Sequence, residues 1–303
     1  MAYPFAMVKD IFDKDDLTVV NLESVFYEYE ANKAEKTYNF RSPKSFAQIL
    51  TLGGVDAVSF ANNHMFDYGV QGYRSTLEAL ALAGIPWFGV SDSGAGTYIF
   101  EKDGIKIGFA AIYTSHWQNN VDRLRKCFED LKNAGCNAIV GCMHGGVEYD
   151  VMHDLGQEKL ANALIRYGAD VVIGHHPHTL QGMRVENGRT TLWSLGNFVF
   201  GGNPKINKNK MNEPVISTMI AQVIFSFDED GAYLGHQVNI IPCHMSGHSD
   251  YNDFQPCPVT GSDARAVIAA LQRDVLPRGT KVRPYAEGVG ALQPFVPAPE
   301  DRR

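Results

Sequence analysis

Long apolar runs are missing from this chain. No stretch of about 18 apolar residues occurs, so nothing in it is expected to span a bilayer. Paired cysteines are missing too. The five present, Cys127, Cys136, Cys142, Cys243 and Cys257, are an odd set without CxxC spacing. That pattern argues for free, mostly buried thiols in a reducing compartment and against a disulfide framework. Positive charge is short: 27 Lys and Arg against 34 Asp and Glu leave a net charge of −7. A protein that tracks a phosphate backbone carries the opposite balance, so nucleic acid is excluded as the main partner. The sum leaves room for an anionic substrate, because a few local cations dominate a cleft. No internal repeat or low-complexity linker interrupts the chain. Met1 to Asp16, with Pro4, Lys9 and four aspartates, does not read as a signal peptide.

What is present is ordinary globular composition, 45% apolar and 20% charged over 303 residues, enough to bury a core without staples. At about 150 residues per domain, one large α/β domain or two modest ones would fit. The pattern favours one domain, residues 1–292, followed by a proline-rich tail, 293–303, extended over the surface. Strands are expected at Leu17–Leu22, Val55–Phe60, Pro86–Val90, Asn137–Met143 and Asp170–Ile173, alternating with helices. Ser42-Pro43 should open a helix closed by Gly53-Gly54, and Gly84, Gly135 and Gly168 should end three more. Asp103-Gly104 and Asn187-Gly188 mark hairpins. The region 27–41 has no period and reads as a surface loop. Beyond residue 215 the pattern turns strand-heavy, which suggests an α/β domain with mixed sheets.

Active sites of α/β folds collect just past the carboxyl ends of strands. Glu23 follows LTVVNL, Asn62, Asn63 and His64 follow VDAVSFA, His144 follows NAIVGCM, and His175, His176 and His178 follow DVVIG. Four successive strand ends thus carry groups that bind metals or move protons. Alternation around Pro177 in an extended backbone would aim His176 and His178 the same way. Mixed oxygen and nitrogen donors suit Mn, Zn or Fe, and the lack of cysteine argues against a structural zinc. His64, with Asp67 three residues on, has the makings of a general acid held in orientation by a carboxylate. Glu148 and Tyr149 could supply outer hydrogen bonds near His144. His244 and His248 are four apart, but Pro242 and Gly247 imply a loop rather than a metal pair.

ANNHMFDYG (61–69), MHGGVEY (143–149), GADVVIGHHPHTLQG (168–182) and SLGNFVF (194–200) resemble the CapA-type capsule-synthesis family, associated with poly-γ-glutamate capsules. NLES, FRSP and NDFQP look like further landmarks of that family, and together they span nearly the whole chain in order. The family looks like a branch of the calcineurin-like metallophosphoesterases. The resemblance therefore implies a four-layer α/β/β/α sandwich around one or two divalent ions, Mn, Zn or Fe. It implies Glu23, Asn63, His144, His176 and His178 as metal ligands and His64 beside the leaving group, with His175 in the outer shell. Arg41 and Asn62 are expected on the substrate side. Asn197 is open between lining the cleft and capping a turn.

One departure stands out. The family opens with a strand ending in an aspartate motif, and MAYPFAMVKD does not match it. Asp10, Asp13, Asp15 and Asp16 read instead as the solvated side of an amphipathic helix. The expectation is either an amino-terminally shortened chain, its export signal lost as well, or a variant with a reduced two-metal centre. Its Leu17–Leu22 strand would then be an unpaired edge. By this resemblance the chain is a metal-dependent hydrolase acting on a phosphoester or amide. Two other readings are an accessory protein to a membrane-bound poly-γ-glutamate synthase, and a small-phosphoester nucleotidase. Members are commonly associated with the cell envelope, whereas no targeting segment is read here.

Overall fold

A computed structural model describes residues 1–201, 213–248, 251–274 and 279–302. The chain starts with a short helix, α1 (Lys9–Phe12), whose Phe12 is buried while Asp10 faces solvent. β1 (Val19–Asn21), β2 (Val25–Phe26), β3 (Arg41–Ser42), α2 (Ala47–Leu52), β4 (Ala57–Ser59), α3 (Gly69–Ala83) and β5 (Trp87–Ser91) follow. Next come β6 (Gly94–Gly96), β7 (Tyr98–Lys102), β8 (Ile105–Tyr113), α4 (Thr114–Trp117), α5 (Val121–Asn133), β9 (Ala138–His144) and α6 (Leu155–Tyr167). β10 (Val171–His175), β11 (Leu180–Glu186) and β12 (Arg189–Leu195) lead to the strand-rich part. It comprises β13 (Ser217–Phe227), β14 (Tyr233–His244), β15 (Cys257–Pro258), α7 (Gly261–Leu271), β16 (Ala291–Leu292) and β17 (Val296–Pro297).

Local chemistry accounts for most of these boundaries. α5 buries Leu124, Cys127, Phe128 and Leu131, one helical stripe. α6 opens on a capping box between Asp154 and Gln157. α3 stops at Gly84, whose φ of 72° is the left-handed cap that glycine adopts without penalty. The two expected hairpins turn at Asp103-Gly104 and Asn187-Gly188, all four residues having positive φ. β9 is buried along its whole length, as befits a strand covered on both faces.

The first sheet has ten strands in the order β1-β4-β5-β8-β9-β10-β12-β11, with β6 on β5 and β7 on β8. The neighbours from β1 to β12 in that order run parallel, and β11 returns antiparallel. The second sheet is antiparallel: β13 lies on one side of β14, with β15, β16 and β17 on the other. α5 and α6 cover one face of the first sheet, packing Phe128, Leu131, Leu160 and Leu164 on Ile112, Ile139 and Val172. Its other face meets the second sheet, Phe109 and Val140 sharing a core with Phe225 and Tyr233. α7 closes the far side through Val267, Ile268 and Leu271 against Met219 and Ile240. The layering is α/β/β/α, as the resemblance implied.

Three local expectations change. Ser42 does not cap a helix; it pairs in β3 with Phe26, and a 3-10 turn starts at Lys44 without a side-chain cap. The 27–41 loop is therefore pinned at both ends by a small parallel ladder. The proline-rich tail is not a surface strap, because β17 adds to β14 and Val296 and Ala298 are buried. Among the described residues no strand precedes β1, which is the terminal strand of its sheet, so the expected edge is present. No helix among them is long and apolar enough to cross a membrane. All five cysteines are free, four of them buried.

Candidate metal centre

Parallel strands lying side by side in one register bring their carboxyl ends to one edge of the sheet. His144 ends β9 directly opposite His175 of β10, and β1 and β4 deliver Glu23 and Asn62–His64 from the same edge. Gly174 permits the approach of β10 to β12, since a Cβ there would fall 1.9 Å from the Trp193 carbonyl oxygen. After His175 the backbone leaves the extended form. His176 has φ 106° and His178 φ 59°, conformations that cost on the order of 1–3 kcal/mol each and gather at functional sites. The two imidazoles thus reach one pocket through a left-handed turn, not through the expected period-two alternation. Their ring centroids are 6.0 Å apart.

Four polar atoms converge there. His144 Nε2 lies 2.8 Å from Asn63 Oδ1, 3.1 Å from His176 Nδ1 and 3.4 Å from Glu23 Oε1. Glu23 Oε1 is buried without a hydrogen bond, and His178 Nε2 stands 4.0 Å from it. One proton on one nitrogen cannot satisfy such a set, whereas a cation coordinated by all of them would. Glu23, His144 and His176 place their ligand atoms within 4.8 Å of one another, and two imidazoles with carboxylate and amide oxygens suit a divalent transition ion. Burial alone would raise the Glu23 carboxyl, but the facing imidazoles of His144, His178 and His64 outweigh it and hold it at about 2. Burial, helped by His144, lowers His176 to about 3 and His175 to about 4. Both rings are neutral, as His176 must be to serve as a metal ligand.

Asn197 supports the cluster from outside: its Oδ1 lies 2.8 Å from His178 Nδ1 and its Nδ2 donates to the His178 carbonyl at 3.2 Å. It braces a histidine and also lines the cavity between the two sheets. Asn62 is a brace as well, donating to the Leu22 carbonyl at 2.7 Å and accepting from the His64 amide at 3.0 Å. Arg41 is not drawn to the histidines; its guanidinium pairs with Glu30 and lies over the Tyr68 ring. Glu148 lies beside His176 and His178, their ligand atoms also within 4.8 Å of one another.

His64 and Asp67 do meet, Nδ1 to Oδ2 at 2.7 Å. The other Asp67 oxygen pairs with Lys36, whose ammonium also donates to the Asn63 carbonyl at 2.9 Å and approaches His64 Nδ1 at 3.3 Å. Phe40 stacks on the His64 ring with centroids 4.1 Å apart. Neither Lys36 nor Phe40 was expected at the site. FRSP was the one sequence signal near them.

The family model of the bacterial capsule synthesis protein PGA_cap matches residues 1–202. The PGA biosynthesis protein CapA of Bacillus subtilis is 32% identical over 65% of this chain and 56% of its own length. The capsule biosynthesis protein CapA of Bacillus anthracis is 30% identical over 65% and 54%. A probable polyglutamine synthesis accessory protein of Mycobacterium tuberculosis is 26% identical over 61% and 55%. The chain therefore spans little more than half the length of these relatives. Among solved structures, the NAD nucleotidase of Haemophilus influenzae overlaps 77% of this chain and 43% of its own, at 13% identity and a TM-score of 0.41. That likeness is too loose to argue from.

Proposed function

This chain belongs to the bacterial capsule synthesis protein family, and on that premise we propose that it is a metal-dependent hydrolase of capsule biosynthesis, acting on a phosphoester or an amide. The observation that carries the reading is the convergence of Glu23, Asn63, His144 and His176 on one point, with His178 beside them. Glu23, Asn63, His144 and His176 would hold a divalent ion, Mn, Zn or Fe, which would supply Lewis acidity to a phosphoryl or carbonyl oxygen and a nucleophilic water near neutral pH. The chain's own groups do the rest. His64 is fixed in tautomer and tilt by Asp67 and the Phe40 ring, so its Nε2 is the atom that protonates a leaving group. Lys36 pairs with Asp67 and holds it in place. The substrate is an anionic small molecule or polymer, and the resemblance to CapA-type proteins, one of them named for PGA biosynthesis, implies poly-γ-glutamate.

Metal content and turnover test this together. The purified chain should take up Mn²⁺ or Zn²⁺, and His176→Ala should lose both uptake and the release of product from phosphoester and γ-glutamyl amide substrates. A chain that binds neither ion sinks the reading. The name of the mycobacterial relative favours a second reading, an accessory protein working beside a membrane-bound synthase. On that reading metal uptake survives while every substrate is left intact.

A further inference from the structure

Five donors, Glu23, Asn63, His144, His176 and His178, are few for two cations about 3.5–4 Å apart. The loop after His144 offers a sixth. We propose that Glu148 is a metal ligand, holding with His178 a second cation position on the solvent side of the one at Glu23, Asn63, His144 and His176. The inference rests on the metal-dependent reading above.

The loop is built to hold that carboxylate in place. The Gly145 amide donates to the His175 carbonyl at 2.9 Å, the Tyr149 amide to the Pro177 carbonyl at 2.7 Å, and the Thr179 hydroxyl to the Asp150 carbonyl at 2.7 Å. Residues 145–150 are thus laced to the histidine turn before and after Glu148. Positive φ at Gly146 (113°) and Tyr149 (66°) folds the loop back onto that turn, and the Tyr149 ring packs 5.8 Å from the His178 ring. The Glu148 carboxylate, His176 and His178 then stand within 4.8 Å of one another through their ligand atoms.

His178 is prepared for the role. With Asn197 Oδ1 taking the proton of its Nδ1 at 2.8 Å, the lone pair sits on Nε2, and such an outer partner is how a ligating histidine is oriented. His176 belongs to both groups, which sets the two positions side by side. A carboxylate and one imidazole, open to solvent on one side, leave room for water or substrate oxygen at the ion.

Ion counting by mass spectrometry and calorimetric titration with Mn²⁺ or Zn²⁺ test the proposal without an activity assay. The wild-type chain should hold two ions, Glu148→Gln one and Glu23→Gln one, and the two variants should differ in the affinity that survives. With Mn²⁺, the exchange-coupled paramagnetic resonance spectrum of the wild type should become a single-ion six-line spectrum in Glu148→Gln. Two ions retained by Glu148→Gln overturns Glu148 as a ligand, one ion in the wild type overturns the second position, and either result leaves the metal-dependent reading standing. No ion in the wild type overturns both.

Discussion

His236 is wholly buried on β14, with Tyr233 Oη 2.6 Å from its Nδ1 and Thr190 Oγ1 2.6 Å from its Nε2. One nitrogen donates and the other accepts, so the pair of contacts suits a neutral ring. Burial lowers its pKa to about 4 from an ordinary 6.5. The unfolded chain then binds a proton between those values that the folded chain refuses. The stability this group contributes is full above pH 6.5 and is lost as pH falls toward 4, a change on the order of 3 kcal/mol. In His236→Gln, urea midpoints should fall less steeply between pH 6.5 and 4 than in the wild type; parallel curves would show that this ring is not responsible. At the same scale, the site shows what a sequence can reveal. Glu23, Asn63, His144, His176 and His178 were legible because each follows a strand, and parallel pairing forces strand ends together. Lys36 and Phe40 were not. They sit in a loop without period, held by the Ala34 amide on the Asp67 carbonyl at 2.8 Å and by Asn39 on the Ala34 and Lys36 carbonyls at 3.2 and 3.1 Å. The Arg41–Glu30 pair was hidden for a related reason, since Glu30 lies across the same loop.

Among the elements, the carboxyl-terminal stretch differs most from its sequence pattern. Proline has no amide hydrogen and reads as a surface residue, yet the residues between the prolines do the pairing. The Gln293 amide donates to the Val238 carbonyl at 2.8 Å and the Ala298 amide to the Leu234 carbonyl at 2.8 Å. The stretch then crosses the β11–β12 turn so closely that a Cβ on Gly188 would lie 2.7 Å from the Pro297 oxygen. It ends with Arg302 on Asp170, Nε to Oδ1 at 3.0 Å, where Asp170 is fully buried just before β10. Removing the guanidinium leaves that carboxylate with the Ile139 amide at 2.9 Å as its remaining close donor. Arg302→Ala should therefore cost about 3 kcal/mol, and Asp170→Asn in the same chain should recover part of it. Urea unfolding checks this, and an unchanged midpoint would mean the latch is idle. Hairpin turns were legible because Asp-Gly and Asn-Gly decide them locally. The latch was not, because it joins residues 132 positions apart.

At the scale of the whole molecule, two sheets packed face to face ordinarily interdigitate about 10 Å apart. Here Phe225 and Tyr233 share a core with Phe109 and Val140, and a cavity of about 1280 Å³ opens beside them, with Phe225, Phe109 and Val140 on its wall. That is larger than the usual 300–1,000 Å³ of a small-molecule pocket. Residues 14–24 line it without a gap, and so do residues 218–225. A strand's face would supply every second residue, so these unbroken runs mean that the backbone edges of β1 and β13 look into the space. Both are terminal strands of their sheets. The β1 edge was legible from the family pattern. The β13 edge opposite was not, because it depends on which strand of the second sheet faces the first. One end of the cavity reaches Glu23, His175 and Asn197, so its walls bear on the candidate centre. Phe100, Ile107, Ile173 and Ile220 give it an apolar lining. A polarity-sensitive hydrophobic dye should therefore bind the folded chain, with near-ultraviolet circular dichroism at native intensity to separate a built cavity from a loosened core. The fluorescence should fall, not rise, through cooperative unfolding. A dark native state would mean that the two edges close on each other in solution.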